Sequence, residues 1–384
     1  MVRLPFTNTG LMVLLLGLGA YAVGWWFGWT ELLVMACGCL TGLVLATPFI
    51  VGRQRLIVER TVAPERVEVG SPAVAHIRIT NPTRIPIGSQ FVAEHVDGLA
   101  SVIDVTGLAP GASIERSLVL PTDRRGLIPV GPSIVSRADP LGLMRRDVVQ
   151  SAHNDLWVHP RVVPTNPAPV GFAKDLEGPT NDTSPSGDVS FHTLREYSIG
   201  DDPRHVHWLS TARTGSLMVK HFVDNRQPHL TVVLDGSATS YQADEFEVAV
   251  DVVASLGVNG LIQKRPTSLY SGAEALVPGA VGATAQDLLD ALTVVQPRSP
   301  VGLEAACVQA LDREPETSVL VAITGAIEPS ALLGLIERVK RRTHVVVVRA
   351  WPSSAIEPVS LPGATILDID DIDRFQVVWN QAMR

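Results

Sequence analysis

The sequence predicts a multidomain protein, α/β plus all-β, in which two soluble domains follow a helical hairpin able to span a membrane twice. Three observations predict it. Two long uncharged runs open the chain, short apolar runs punctuated by proline and glycine follow, and strand-like and helix-like segments alternate after residue 228. These patterns are typical of membrane spans, of an antiparallel sandwich and of a doubly wound α/β domain, in that order.

The composition agrees with a membrane-attached chain. Of its 384 residues, 46% are apolar and only 18% are charged, and the formal net charge is −8. An acidic chain lacks the basic footprint of nucleic-acid-binding proteins, so nucleic acid is excluded as a partner. The three cysteines, Cys37, Cys39 and Cys307, have neither a disulfide nor a zinc spacing, which indicates a reducing compartment for the soluble part.

Residues 1–56 are predicted to form a transmembrane helical hairpin. The stretches 4–30 and 32–52 carry no charge, and each exceeds the roughly 20 residues that cross the hydrocarbon core. Three tryptophans cluster near the expected turn at Thr30 and Glu31, as interfacial aromatic residues do. The alternative is a signal peptide followed by a buried helix, but a second apolar span that follows at once argues against it.

The positive charges around the hairpin predict its orientation in the plasma (inner) membrane. Arginines flank the two apolar runs at these positions: Arg3, Arg53, Arg55 and Arg60. Because such charges stay on the cytoplasmic side, both termini and both soluble domains are expected to be cytoplasmic. Two GxxxG pairs, Gly24 with Gly28 and Gly38 with Gly42, predict either close packing within the hairpin or a homo-oligomer formed through it.

Residues 57–165 are predicted to form a β-sandwich of immunoglobulin-like architecture. Apolar and polar residues alternate with period two over 75–80, as on a half-buried strand, and proline-glycine and asparagine-proline turns separate the short runs. Several short strands at this spacing favour an antiparallel sandwich. Such domains are mostly structural or adhesive, so no catalysis is expected in this part of the chain.

Residues 229–384 are predicted to form a doubly wound α/β domain. Strand-like stretches at 230–234, 267–270, 318–323 and 344–348 alternate with helical ones at 243–264, 285–294, 302–311 and 329–341. This alternation predicts a mostly parallel sheet, whose ligands bind beyond the carboxyl ends of the strands. The intervening residues 166–228 are expected to hold a linker, mobile over 177–187 because few apolar residues can be buried there, and then a charge-rich segment.

The first strand of the α/β domain ends in a candidate metal-binding loop. Asp235, Ser237 and Thr239 resemble the DxSxS metal-ion-dependent adhesion site of von Willebrand factor A domains, with threonine in place of the last serine. The resemblance implies oxygen ligands for Mg²⁺ that a partner's carboxylate completes. The second-loop threonine of that site is missing from 299–304, and Gly325 stands where an aspartate is expected, so no cofactor is required and any Mg²⁺ binding is weak. The alternative is a strand-to-helix turn whose aspartate and serine cap the next segment.

The densest charge cluster precedes that strand, in the segment 195–222, which reads REYSIGDDPRHVHWLSTARTGSLMVKHF. Asp202 as N-cap and Pro203 at the first helical position predict a short helix that Gly215 ends, and a strand follows over 216–222. The basic and acidic side chains are expected to pair as the segment folds back. Partly buried pairs would hold two domains in a fixed relation, so the segment is predicted to be structural or to serve docking.

This segment resembles the signature of the bacterial domain-of-unknown-function 58 family, a von Willebrand factor A-like group. The matching residues are Arg195, Tyr197, Gly200, Asp201, Asp202, Arg204, Trp208, Ala212, Arg213, Leu217, Val219 and Lys220, with Val206 in place of isoleucine. A second match includes Arg125-Gly126, Gly131-Pro132, 139–143 and 158–160. The resemblance implies a membrane-held partner of a MoxR-type AAA+ ATPase in envelope-related or chaperone-like assembly, and the ATPase is expected to dock at the carboxyl ends of the strands.

The sequence favours a non-enzymatic role. It contains no GxxxxGK[ST], HExxH or GxSxG motif, and His205 and His207 are two apart, which places them on different sides of a helix. The predicted function is therefore a membrane-anchored scaffold or adaptor that also contacts the lipid bilayer. Two alternatives stay open: a divalent-metal-dependent binding module built on Asp235, and an uncharacterised hydrolase that uses Asp201, Asp202 and His207.

Overall fold

The two apolar runs at the start of the chain form α1 (Asn8–Phe27) and α2 (Thr30–Val51) in a computed structural model of the protein. The structure describes residues 6–51, 56–87, 90–168, 189–198, 201, 203–224, 229–242, 244–276, 284–325, 327, 329–340, 343–351 and 361–384. The chain divides into two compact units, Met1–His159 and Pro160–Arg384.

The helices α1 and α2 pack as a hairpin, and each is long and apolar enough to cross a membrane by length and composition. Gly28, with φ of 70°, ends α1, so the turn lies at Gly28 and Trp29, slightly earlier than the sequence indicated. A Cβ at Gly24 would lie 3.1 Å from Leu33 Cγ, whereas one at Gly38 would meet no atom within 4 Å. Of the two GxxxG pairs, the first therefore contributes a glycine to packing inside the hairpin. Three exposed tryptophans surround the turn: Trp25, Trp26 and Trp29.

The strands described in the rest of the first unit form two sheets. They are β1 (Ile57–Ala63), β2 (Arg66–Glu68), β3 (Val74–Thr80), β4 (Gln90–Val96), β5 (Leu99–Val105), β6 (Ser113–Val119), β7 (Gly126–Ala138), β8 (Arg145–Val149) and β9 (Asn154–His159). The sheet orders are β1-β3-β6 and β2-β9-β7-β4-β5, with β8 also paired to β7. The pairings are antiparallel except for β2 with β9.

The two sheets face each other across a shared apolar core. Ile77 and Ile79 of β3 pack in one cluster with Val92 of β4 and Val135 of β7, and all four are buried. The period-two alternation that the sequence shows over 75–80 is confirmed, because buried and exposed residues alternate along β3.

A buried ion pair crosses this core. The Arg60 guanidinium on β1 pairs with the Glu94 carboxylate on β4, and the two side chains are 1% and 0% exposed. Arg60 also donates to the Ala152 carbonyl and to Asn154 Oδ1, and the Ser133 hydroxyl donates to Glu94. Both terminal nitrogens of Arg60 and both carboxylate oxygens of Glu94 are hydrogen-bonded, whereas the buried Arg60 Nε has no partner. Hydrogen bonds of this kind are what allow a charge to be buried.

This position of Arg60 changes two sequence-based interpretations. Arg60 lies inside the sandwich, so it is not one of the charges that orient the hairpin in a membrane, and the other three arginines of that argument lie outside the described residues. A Cβ at Gly131 would lie 2.6 Å from Arg60 Nη1, so a residue without a side chain is required there. Gly131 and Pro132 lie inside β7, so the turn that this pair indicates in the sequence is not formed, and the glycine instead leaves room for the Arg60 side chain.

The second unit contains β10 (Val189–Glu196), α3 (Trp208–Thr214), β11 (Met218–Asp224), β12 (His229–Leu234), α4 (Glu245–Ile262), β13 (Thr267–Ser271), β14 (Glu274–Ala275), α5 (Ala285–Val294), α6 (Leu303–Arg313), β15 (Thr317–Thr324), α7 (Pro329–Val339), β16 (His344–Ala350), β17 (Ala364–Ile369) and α8 (Ile372–Ala382). A six-stranded sheet has the order β14-β13-β12-β15-β16-β17, and its pairings are parallel except at β14. Separate apolar clusters cover it, one with α4, α5 and α8 and the other with α6 and α7. The predicted alternation of strands and helices is confirmed for these residues.

The second unit begins earlier than the boundary at residue 166 that the sequence indicated. The Arg161 amide donates to Asp251 Oδ1 at 2.8 Å, and the Val163 amide donates to Ser255 Oγ at 3.0 Å, both on α4. Trp379 Nε1 on α8 donates to the Asn166 carbonyl at 2.8 Å. Residues 160–168 are therefore an extended segment packed on the α/β sheet's helices. The mobile loop expected over 177–187 lies outside the described residues.

Candidate functional site

The signature segment 195–222 is built on an antiparallel pair of strands, β10 and β11. Their register places Arg195 opposite Val219, and Leu194 opposite Lys220. The Tyr197 amide donates to the Leu217 carbonyl at 2.8 Å, which closes the pair just beyond β10. Residues that are about 20 positions apart in the sequence therefore come together, as the sequence predicted for a segment that folds back on itself.

Asp201 organises the turn that follows β10. Its carboxylate accepts from both terminal nitrogens of Arg195, at 2.6 and 2.8 Å, and from the Ser198 amide at 2.9 Å. The two side chains of the ion pair are 43% and 18% exposed. Arg195 and Asp201 thus form a two-pronged, partly buried pair within the charged segment. Gly200 and Asp202 lie outside the described residues.

The short helix α3 begins later than the sequence predicted. Its N-cap is His207 rather than Asp202: His207 Nδ1 faces the Ser210 amide at 3.3 Å and the Ser210 hydroxyl at 2.8 Å. Residues 203–205 form a separate 3₁₀ turn. Pro203 therefore begins this turn and not α3, which starts five residues later. Gly215, with φ of 76°, ends the helix as predicted.

One backbone hydrogen bond and one bond to a side chain attach α3 and its N-cap to β11. The His207 amide donates to the Met218 carbonyl at 2.8 Å, and the Met218 amide donates to Thr211 Oγ1 at 3.0 Å. Val206 and Val219 form an isolated bridge and are both buried. The buried apolar contact that attaches this region to β11 is therefore made by Val206, which precedes α3, and not by α3 itself.

No residue of α3 itself is buried. Trp208 and Leu209, its first two residues, are 68% and 64% exposed. We call these two side chains the α3 patch. The sequence indicated Trp208 as a signature position but not Leu209. The exposure of Leu209 could have been predicted from the sequence, because residues 208–214 lack the 3.6-residue apolar period of a helix that packs one face against a core.

The remaining matched side chains of the signature differ in their exposure to solvent. Arg204, Ala212 and Arg213 are exposed, and Tyr197 and Lys220 are half-buried. His205 is exposed as well, two residues before the capping His207. Arg195 donates to the Asp201 carboxylate, and His207 Nδ1 lies 2.8 Å from the Ser210 hydroxyl.

The loop after β12 brings Asp235, Ser237 and Thr239 together. The Ser237 amide donates to Asp235 Oδ1 at 2.9 Å, and Ser237 Oγ lies 2.9 Å from Thr239 Oγ1. The second Asp235 carboxylate oxygen, Oδ2, accepts from Thr324 Oγ1 at 2.9 Å. Thr324 ends the neighbouring strand β15, so polar residues at the carboxyl ends of two adjacent strands meet. This partner of Asp235 was not identified from the sequence.

A partly buried tyrosine, Tyr241, contacts the same loop. The Tyr241 hydroxyl donates to the Asp235 carbonyl at 2.9 Å. Burial raises the pKa of Tyr241 well above its ordinary value, and the nearby carboxylates of Asp235 and Glu245 raise it further. Tyr241 therefore stays a neutral hydrogen-bond donor, and the loop backbone is held in place around Asp235.

The donor set does not fit the full adhesion-site arrangement. Asp235 is buried and both of its carboxylate oxygens already accept hydrogen bonds. A Cβ at Gly325 would lie 2.1 Å from the Ser240 carbonyl oxygen, so there is no room for the aspartate that such a site requires. Ser299 in the second loop accepts from the Val301 amide at 3.1 Å and thus serves its own turn. Among the described residues, no group of three histidine, cysteine, aspartate or glutamate side chains could hold a metal ion.

Comparisons with solved structures find similarity over about a quarter of the chain. The CARDB domain of a Pyrococcus furiosus protein, in complex with di-metal ions, is 20% identical, and the match covers 27% of this chain and 93% of that chain with a TM-score of 0.22. The ApaA protein of Bordetella pertussis is 21% identical over 27% of this chain and 94% of that chain, with a TM-score of 0.20. Likenesses this weak carry no argument about function. No curated protein matches the chain.

The family comparison covers the part of the chain that carries both candidate sites. Residues 193–379 match the family described as "Protein of unknown function DUF58". The match starts within β10, includes the whole signature segment and continues through the parallel sheet into α8. Residues 193–379 of this chain are therefore similar to the DUF58 family, which supports the resemblance that the signature segment indicated.

Proposed function

We propose that the protein is a membrane-anchored, non-enzymatic adaptor whose α/β unit binds a protein partner through the α3 patch. The observation that carries the proposal is the exposure of Trp208 and Leu209 on a helix that buries none of its own residues. Large exposed apolar side chains on a regular element are typical of interaction sites, and tryptophan is the residue most enriched among binding hot spots.

The hydrogen bonds around the patch support docking over catalysis. His207 uses Nδ1 to cap α3, and Asp201 is neutralised by a bidentate arginine. A general base needs a free lone pair within reach of a substrate proton, and a nucleophile needs such a base beside it. These two side chains instead fix the shape of the segment that presents the patch. The hydrolase alternative has no comparable support.

The framework of the proposal is a hairpin in the membrane, an immunoglobulin-like sandwich and a von Willebrand factor A-like α/β domain. Two apolar helices of 20 and 22 residues support the first. The face-to-face sheets support the second. A parallel sheet with the Asp235 loop at the carboxyl end of β12 supports the third.

The partner we propose is an AAA+ ATPase of the MoxR type. The match of residues 193–379 to the DUF58 family supports this partner, since the family resemblance implies it. The α3 patch is a better candidate contact than the strand ends. There, the exposed side chains of the Asp235 loop are small, Ala238 and Thr239, and bury little apolar area in an interface.

A pull-down from detergent with the full-length chain tests this contact. The chain should capture a MoxR-type ATPase of the same cell at physiological salt with nucleotide present. Leu209→Ala should weaken capture about tenfold or more, the effect of removing a hot-spot side chain. Ile262→Ala is the matched control, because Ile262 ends α4 and is exposed to a similar degree. If the wild-type chain captures the ATPase and neither Leu209→Ala nor Trp208→Ala weakens capture, the contact lies outside the α3 patch. If the wild-type chain captures no ATPase, the proposed partner is wrong.

A second candidate is metal-dependent binding at the Asp235 loop. It is favoured by one observation, the meeting of Asp235, Ser237 and Thr239 within hydrogen-bond distance. Under this alternative, a chelator should abolish capture and Asp235→Ala should reproduce its effect, because the site has a single carboxylate. Capture that survives the chelator supports the metal-independent adaptor.

The proposed orientation, with both soluble parts in the cytoplasm, has its own test. Ser71 lies in the turn before β3 and is partly exposed. In a chain that also carries Cys37→Ala and Cys39→Ala, Ser71→Cys should react with a membrane-impermeant maleimide only after the cells are permeabilised. Reaction in intact cells would reverse the orientation.

A further inference from the structure

The turn between β7 and β8 packs against the start of the hairpin rather than against the sandwich. Thr7 Oγ1 donates to the Gly142 carbonyl at 2.6 Å, and the Thr7 amide donates to the Leu143 carbonyl at 3.0 Å. A Cβ at Gly10 would lie 1.8 Å from that Leu143 oxygen, so the turn's backbone touches the first turn of α1 directly. We call residues 139–144 the hairpin-contact turn.

The hairpin-contact turn is rigidly built. The buried Asp139 carboxylate accepts from the Leu141 amide at 2.9 Å and from the Met144 amide at 2.6 Å, one bond on each oxygen. Gly142 has φ of 67°, a left-handed conformation that glycine adopts without strain. These contacts give the turn one defined shape, so the residue at its tip is held in an exposed position.

Two residues of this turn are buried in an apolar cluster with the hairpin. Leu143 and Met144 pack with three residues of α2: Leu43, Ala46 and Ile50. The turn thus lies beside the last third of α2 and the first turn of α1, where both helices of the hairpin end. Whatever surrounds those helix ends also surrounds the turn.

The tip of the turn is apolar and the strand after it is basic. Leu141 is 67% exposed, although it stands beside side chains that the hairpin buries. Arg145 and Arg146 follow at the start of β8 and are exposed. Arg145 also pairs with Asp147 at 2.9 Å, and Arg146 lies opposite Arg137 of β7. An apolar residue next to a cluster of arginines is the arrangement that interfacial segments use, with the apolar side chain among acyl chains and the cations at the phosphates.

We propose that the hairpin-contact turn inserts into the interfacial layer of the bilayer, with Leu141 below the headgroups and Arg145 and Arg146 beside anionic phosphates. This inference rests on the proposed membrane anchoring of the hairpin. It adds a third membrane contact, from the sandwich itself, which holds the sandwich at a fixed height against the lipid surface.

Spin labels on single cysteines in the full-length chain test the insertion. The chain carries Cys37→Ala and Cys39→Ala, while Cys307 is buried and stays. Labels are placed at Leu141→Cys, at Leu45→Cys, which is exposed on α2, and at Leu99→Cys as the control. The protein is reconstituted into vesicles of phosphatidylcholine and phosphatidylglycerol, and the accessibility of each label to oxygen and to a polar nickel complex is measured.

Leu99 is a matched control because it is an equally exposed leucine at the opposite end of the sandwich. It is 78% exposed and begins β5, just after the turn that ends β4. β4 pairs with β7 so that Phe91 lies opposite Ser136 and Val96 opposite Val130. Leu99 therefore lies near the start of β7, whereas the hairpin-contact turn follows its end.

We expect the ratio of oxygen to nickel accessibility at Leu141 to exceed that at Leu99 several-fold and to approach that at Leu45. Equal ratios at Leu141 and Leu99, with Leu45 embedded, would overturn the insertion and leave the membrane anchor intact. A water-exposed Leu45 would overturn the anchor itself. A label at Leu141 that neither reagent reaches would also overturn the insertion, since it would mean that protein covers the turn.

Discussion

Two arginine–carboxylate pairs, one in each unit of the molecule, have the same chemistry and opposite surroundings. Arg60 and Glu94 lie inside the sandwich, at 1% and 0% exposure, with further bonds from Ser133 and to Ala152. Arg195 and Asp201 lie on the surface of the signature segment, at 43% and 18% exposure. The first pair is surrounded by β-sheet and the second closes a turn of six residues.

The difference teaches that density of charge in the sequence is a poor guide to the charges that matter for stability. Arg195 stands in the most charge-rich stretch of the chain, where many partners are close in sequence and water screens them all. Arg60 and Glu94 lie in different strands, 34 positions apart in the sequence. Sequence separation hides such a pair, but burial makes each partner indispensable to the other.

The largest expected effect is at the buried pair. Glu94→Ala leaves the Arg60 cation without its carboxylate in the core and should lower the unfolding free energy by about 3–5 kcal/mol. Hydrogen exchange of peptides from 57–159, in the full chain, measures it locally. The control is Glu115→Ala in the same sandwich, whose pair with Arg78 is 57% and 66% exposed and should contribute about 0–1 kcal/mol. Equal losses in the two variants would mean that burial does not distinguish these pairs.

An aspartate introduced at Gly325, near the Asp235 loop, tests how a carboxylate without a cation partner affects stability. Gly325→Asp restores the aspartate that an adhesion site would need, yet its Cβ would lie 2.1 Å from the Ser240 carbonyl oxygen. We expect a loss of about 1–3 kcal/mol from overpacking, the same for Gly325→Ala, and no gain in Mg²⁺ affinity. Thermal unfolding with and without Mg²⁺ measures both. Stabilisation of Gly325→Asp alone by Mg²⁺ would show that the loop can rearrange into a metal site.

The surface pair should matter little for stability. Arg195→Ala is expected to change the unfolding free energy by about 0–1 kcal/mol, since both side chains are partly solvated and screened. A double-mutant cycle with Asp201→Ala, read from chemical unfolding of the full chain, gives the coupling directly. A coupling as large as that of Arg60 with Glu94 would place the signature segment among the structural elements of the fold.

The smallest expected effect is a pH dependence from a histidine rather than from an ion pair. Burial at the start of β16 lowers the pKa of His344 below its ordinary value. The unfolded chain then binds more protons than the folded one, so stability should fall as pH decreases below about 6.5 and be fully present above it. His344→Gln should flatten this part of the stability profile. An unchanged slope would assign the dependence to other groups.

Local patterns in the sequence accounted for most elements of the fold. The apolar runs predicted α1 and α2, and the alternation over 75–80 predicted β3, because side-chain periodicity follows directly from helix and strand geometry. Boundaries that depend on packing were less predictable. Residues 160–168 have no periodic pattern, and only their hydrogen bonds to α4 and α8 assign them to the second unit.

The candidate sites were predictable in part. Asp235, Ser237 and Thr239 were indicated by their spacing, and they do come together. The capping role of His207 was missed, because a helix with Asp202-Pro203 at its start satisfied every local rule. The tertiary pairing of α3 with β11 decides where that helix begins, and this pairing has no signal in the local sequence.

The sequence by itself determined the order and type of the elements, the two apolar helices and the resemblance of residues 193–379 to the DUF58 family, since periodicity and motif are local properties of the chain. Tertiary structure alone decided which charges are buried and which apolar residues stay exposed. Arg60 enters the core because β1 pairs with β3 and faces β4, and Trp208 stays outside because α3 has no inward face. Burial depends on contacts between residues far apart in sequence, so it is determined only when the chain is folded.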